Sequence, residues 1–123
     1  MYGTIRMTRS GMTLKRSDIV LIPFPFSDLS HQKRRPVILL TSPDGFGDFL
    51  AVAVTSQPGH ADAISLNDDD LAAGKLPKTS WIRSTKLFSL NNQVVVLTLG
   101  NLKPAAFERI HENICAGLGC NPG

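Results

Sequence analysis

The segment from residue 19 to residue 40 constrains this chain more than any other. Two apolar runs of strand length, residues 19–22 and 37–41, stand on either side of a polar loop. Ile19-Val20-Leu21-Ile22 is apolar at four consecutive positions, the pattern of a strand buried on both faces. Pro23 and Pro25 are expected to stop it. The loop ends in Lys33-Arg34-Arg35, and Pro36 follows. Proline suits the first residue of a strand, so the second strand is expected to begin after it. The hairpin then carries three adjacent cations at one end, where a phosphate group can sit.

Residues 42–47, Ser-Pro-Asp-Gly-Phe-Gly, signal a turn. Further strands are expected over 49–55, 63–66, 80–84 with 86–90 following, and 94–99. Residues 67–74 read as a short helix, capped by Asn67 or Asp68 and ended by Gly74, with acids in its first turn. Capping is the plain reading of Asp68-Asp69-Asp70, against metal binding. One long helical pattern covers 104–116. Pro104 suits its first turn, Phe107, Ile110, Ile114 and Leu118 share a face, and Gly117 and Gly119 stop it. The fold class is mainly β: a small curled barrel with a C-terminal α-helix and a short helix between strands.

Residues 14–118 read as a single domain, residues 1–13 as a flexible arm or an over-long start, and residues 119–123 as a tail. Met7 and Met12 are alternative starts. No apolar run approaches the ~20 residues of a membrane span. No secretory signal stands at the N-terminus, so the expected location is cytoplasmic. Cys115 and Cys120 lack companions at zinc-site spacing and read as a buried thiol and a free tail thiol. Net charge is +3, of which Arg6 and Arg9 supply two. The placement of charge therefore matters more than its sum.

Phosphate-loop, dinucleotide-binding and nucleophile-elbow motifs are all missing. His31, His60 and His111 are far apart in sequence; only His31 stands near the cationic cluster, as a candidate for proton transfer or RNA contact. The remaining possibility is a site centred on arginine. Arg35 lies where a loop enters a strand, and Thr55 lies where another strand exits, followed by Ser56 and Gln57. Arg83 and Lys86 stand near the end of the fifth strand. Cations beside hydroxyls suit cleavage of RNA by its own 2′-hydroxyl, because the substrate then supplies the nucleophile. Arginine stabilises the extra phosphate charge well but transfers protons poorly, its pKa lying above about 12. Lys33 and Arg34 would attract the RNA backbone. Phe24, Phe26 and Trp81 are candidate base-stackers, with a core position as the plainer reading of each.

At these residues the sequence resembles the MazF/PemK (Kid) toxins of type II toxin–antitoxin systems, most closely the PemK-like branch. The resemblance rests on order and spacing over residues 14–118. Ser17-Asp18-Ile19-Val20-Leu21 leads into Pro23-Phe24-Pro25-Phe26-Ser27-Asp28. Lys33-Arg34-Arg35-Pro36-Val37 and Val54-Thr55-Ser56-Gln57 follow. Trp81-Ile82-Arg83, Lys86-Leu87-Phe88 and Leu99-Gly100-Asn101-Leu102 complete it. The resemblance implies an SH3-like barrel, a homodimer, and metal-independent cleavage of single-stranded RNA without a cofactor, leaving 2′,3′-cyclic phosphate and 5′-hydroxyl ends. Arg35 and Thr55 fall on the family's catalytic positions. His31, Lys33, Arg34, Ser56, Gln57, Arg83 and Lys86 are the candidate RNA-binding residues. A MazE/PemI-like antitoxin is the implied partner, with DNA engaged only through the antitoxin complex. Two departures stand out: Ser17 replaces a common glycine, and Thr85 stands where an acid is common. The alternatives are a CcdB-like gyrase poison, whose C-terminal Trp-Gly-Ile type ending this chain lacks, and a non-catalytic RNA-binding or decayed toxin.

Overall fold

The computed structural model describes residues 13–24 and 33–119. Among these residues seven antiparallel strands form one curled sheet, a half-barrel, in the order β4-β6-β3-β2-β1-β7-β5. The strands are β1 (Asp18–Phe24), β2 (Lys33–Leu39), β3 (Asp48–Thr55), β4 (Ala63–Leu66), β5 (Leu71–Gly74), β6 (Ser80–Asn91) and β7 (Leu97–Leu102). The helix α1 (Pro104–Leu118) follows the last strand.

The apolar runs of β1–β3 are continuous because both faces of these strands are buried. Ile19, Ile38, Val52 and Val54 join Ile82 and the helix residues Phe107, Ile110 and Ile114 in one core. Their neighbours Val20, Ile22, Val37, Leu39, Phe49 and Ala51 form a second core with Val95. Strand alternation explains the division, since successive side chains point to opposite faces. On α1 the buried residues are Ala106, Phe107, Ile110 and Ile114. Pro104 lies in the first turn, and Gly119 ends the helix at φ +79°.

Several boundaries differ from expectation. Pro23 and Pro36 lie inside β1 and β2, with Pro36 opposite Leu21. The expected 67–74 helix is a 3-10 turn, Asp68–Asp70, followed directly by β5. Asp70 accepts from the Asn67 N–H (2.9 Å) and pairs with Arg109 (3.2 Å), while Asp68 accepts from the Leu76 N–H (3.2 Å). The acids thus serve the turn and the helix packed near it. Strand pairing with β7 takes the next residues, leaving no length for a helix. Segments 80–84 and 86–90 are one strand with a bulge, where Val52 pairs with Leu87 but Ala53 pairs with Arg83. The strand expected over 94–99 begins later, at Leu97, because Asn92–Val94 form a 3-10 turn. Leu118 is 62% exposed and stands outside the core. Cys115 is half-buried, with Sγ 3.9 Å from His111 Nε2. His31, Phe26 and Cys120 lie outside the described residues.

The start of β1 is tightly held. Ser17 adopts φ +84°, the one non-glycine residue with positive φ among those described. Its N–H donates to the Leu39 carbonyl (2.9 Å), and its own carbonyl accepts from the Leu102 N–H (3.0 Å). Asp18 beside it is 4% exposed and accepts from the Lys15 N–H (3.0 Å). Burial pushes the Asp18 carboxyl above its usual range, against the opposing pull of Lys15.

A basic fork between strands as the candidate active site

The first and second strands stay paired down to Phe24 opposite Lys33, but β2 pairs with β3 only at Val37, Ile38 and Leu39. Pro36 accounts for the parting. The Leu40 N–H donates to the Leu50 carbonyl across β3 at 2.7 Å. By alternation Ile38 and residue 36 also face β3 with their backbone nitrogens. Proline has no N–H to offer there, so the ladder ends and the strands fork.

An open recess of about 440 Å³ occupies this fork. Arg34, Arg35 and Pro36 line it from β2, and Ser56 and Gln57 from the end of β3. Lys78 and Ser80 complete it from the approach to β6, and Leu21 and Val54 supply apolar wall. Three cations and no carboxylate therefore line the space among the described residues. Lys78 did not stand out in the sequence, since it lies in a loop far from the basic clusters. Only folding carries it to the arginines of β2.

Thr55 is not among the residues that line the recess; it stands between Val54 and Ser56, which do, and by strand alternation faces the opposite side of β3. Thr55 is paired with Trp81 on β6, and Trp81 in turn with Ser65 on β4. Continuing the Val37–Ala53 register by two places sets Arg35 opposite Thr55 across the fork. The Gln57 N–H donates to Thr55 Oγ1 at 3.0 Å. That bond uses an acceptor site of the hydroxyl and leaves its proton free to be donated.

The other predicted residues separate. Lys33 opens β2. Arg83 lies one row along from Thr55 on the same face, opposite Ala53, and its Nε pairs with Asp62 at 2.8 Å. Lys86 is exposed in the bulge of β6 and does not line the recess. Trp81 is half-buried beside Thr55. His60 and His111 lie elsewhere: the His60 carbonyl accepts from the Ala63 N–H, and the His111 ring stacks on Phe107 with centroids 5.9 Å apart. Asp62 is the acid that sequence reading missed. The Thr85 hydroxyl (2.5 Å) and Arg83 hold its carboxyl well below the usual carboxylate range. No helix among the described residues is long and apolar enough to cross a membrane.

Comparison with known proteins agrees with this architecture. A chain of the MazE–MazF complex from Deinococcus radiodurans superposes with a TM-score of 0.71 at 16% identity, covering 89% of this chain and 100% of its own. An endoribonuclease in complex with its cognate antitoxin, from a mycobacterial species, gives 0.70 at 15% identity, covering 89% and 99%. The Mycobacterium tuberculosis toxin MazF-mt6 gives 0.65 at 15% identity, covering 85% and 98%. No curated protein sequence matches the chain. At these identities the superpositions speak for the fold. The family profile of the PemK-like, MazF-like toxins of type II toxin–antitoxin systems matches residues 15–118. That match spans most of the 123 residues, and with a half-barrel of the same architecture it makes this chain a member of the PemK-like, MazF-like toxin family.

Proposed function

We propose that this toxin is an endoribonuclease that cuts single-stranded RNA through attack of the 2′-hydroxyl on the adjacent phosphorus. The observation that carries this reading is the cationic fork, in which Arg34, Arg35 and Lys78 gather beside Ser56 and Gln57 with no carboxylate among the described residues that line it. The 2′-oxygen forms a bond to phosphorus while the bond to the 5′-oxygen breaks. The products are a 2′,3′-cyclic phosphate and a 5′-hydroxyl. One proton leaves the 2′-oxygen and one is taken up by the 5′-oxygen.

Arg35 stabilises the charge that builds on the phosphate oxygens, and the Thr55 hydroxyl donates a hydrogen bond to one of them. Preorganised donors of this kind lower a barrier by roughly 3–4 kcal/mol each. Arg34 and Lys78 hold the backbone, with Ser56 and Gln57 around them, and the positive charge of Lys33 helps draw RNA in. Near the basic cluster in sequence, His31 is the candidate proton carrier. RNA supplies the nucleophile and arginine the charge stabilisation, so the scheme asks for no metal. A cationic recess of this kind also suits an acidic antitoxin tail, which would cover it and exclude RNA. A homodimer is the proposed working form.

Mapping the ends of cleaved long RNA, with and without EDTA, tests the reading. Cyclic phosphate ends that persist in EDTA are expected. Arg35→Ala and Thr55→Ala should each lower the cleavage rate by roughly 100-fold or more. Cutting that stops in EDTA, or variants that cut like the parent, would remove the proposal.

A further inference from the structure

One residue outside the recess holds a cation on the sheet face that Thr55 occupies. Asp62 lies in the segment between β3 and β4. Its Oδ1 accepts from Arg83 Nε at 2.8 Å, and its Oδ2 accepts from the Thr85 hydroxyl (2.5 Å) and N–H (3.2 Å). Its backbone carbonyl accepts from the Ser84 hydroxyl (3.0 Å) and N–H (3.2 Å). One residue thus gathers positions 83–85, where β6 bulges away from β3. The side chains of Arg83 and Asp62 are only 23% and 13% exposed, so the pair is shielded more than an ordinary surface ion pair.

We propose that Asp62 is a positioning residue that fixes Arg83 as a bidentate clamp for an RNA phosphate next to Thr55. This rests on the ribonuclease reading above. The ion pair engages the guanidinium through Nε. Both terminal nitrogens are then without a protein partner among the described residues, and that edge has the geometry to grip two phosphate oxygens. Arg83 occupies the same face as Thr55, one row along β6. Side chains at such diagonal positions sit about 7–8 Å apart, within reach for an arginine. Asp62 itself is a poor proton acceptor, because Thr85 and Arg83 hold its carboxylate far into the ionised form. Orientation is the task left to it.

Charge and orientation predict opposite results for Asp62→Ala. Removing a carboxylate near the RNA path strengthens electrostatic attraction, so KM should stay level or fall. A loosened Arg83 should lower kcat by roughly tenfold or more. The effect should vanish in an Arg83→Ala background, since Asp62 acts through Arg83. Asp62→Asn and Thr85→Val keep the local shape and should give smaller losses of the same kind, with thermal melting checking that each variant folds. Additive losses in the Arg83→Ala background would overturn the proposal. So would a parental kcat in Asp62→Ala while Arg83→Ala is impaired, or a parental kcat in Arg83→Ala. Absence of RNA cleavage by the parent would instead overturn the ribonuclease reading, and this inference with it.

Discussion

Replacing Ser17 with glycine should stabilise this protein, and the size of the effect can be worked from its backbone. Ser17 sits at φ +84° with both its N–H and its carbonyl engaged, to β2 on one side and β7 on the other. The residue therefore has no freedom to relax its dihedral without breaking two strand contacts. A side chain in the left-handed region costs about 1–2 kcal/mol. Glycine removes that cost but adds about 0.5–1 kcal/mol of chain freedom to the unfolded state. The net gain is about 0.5–1 kcal/mol, which for a chain of this size raises the melting temperature by roughly 2–5 °C. Thermal and urea denaturation of the parent, Ser17→Gly and Ser17→Ala measure it. Alanine keeps the Cβ and should melt near the parent. A Ser17→Gly melting point at or below the parent, or an equal rise in Ser17→Ala, would show that dihedral strain is not the cause.

Other outcomes follow from the packing and the acids. At Gly74 the φ is +87°, and an added Cβ would run into the Leu99 carbonyl and Gly100, so Gly74→Ala should lose roughly 3 kcal/mol or more in urea unfolding. Ile110→Ala, at a fully buried helix position, should cost about 2–5 kcal/mol, whereas Leu118→Ala at an exposed one should stay within about 0.5 kcal/mol. Asp18 has its folded pKa raised, so its stabilising contribution is full below the unfolded value near 3.9 and is lost as pH rises through the folded value. Asp18→Asn should therefore flatten that decline, read from urea midpoints between pH 3.5 and 7. Asp62 has the opposite sign: its contribution is present above the unfolded pKa and is lost in acid, so the stability gap between the parent and Asp62→Asn should close as pH falls below about 4.

Much was legible in the sequence where local rules are strong. The runs in β1, β2 and β3 announce doubly buried strands by unbroken apolarity, and α1 announces itself by Phe107, Ile110 and Ile114 at helical spacing. Errors arose where tertiary pairing overrode local signals. Residues 71–74 follow acids and contain two alanines, yet β7 claims them as a strand. Pro36 reads as a strand start, but β1 pairs through it and beyond to Lys33. The Ser17 departure from the family's glycine falls on a left-handed residue, a backbone state that residue type alone does not announce.

By itself, the sequence determined the buried strands β1 to β3 and the helix α1, which family the chain belongs to, and that arginine chemistry is the natural candidate. These depend on residue type and short spacing, which are local properties. Tertiary structure decided what surrounds each charge. It brought Lys78 to Arg34 and Arg35, parted β2 from β3 at a proline with no N–H to give, and tied Arg83 to an acid 21 positions away. Such neighbours are set by strand register and by where a bulge falls. Both are fixed only when distant strands close on one another and bury their shared faces.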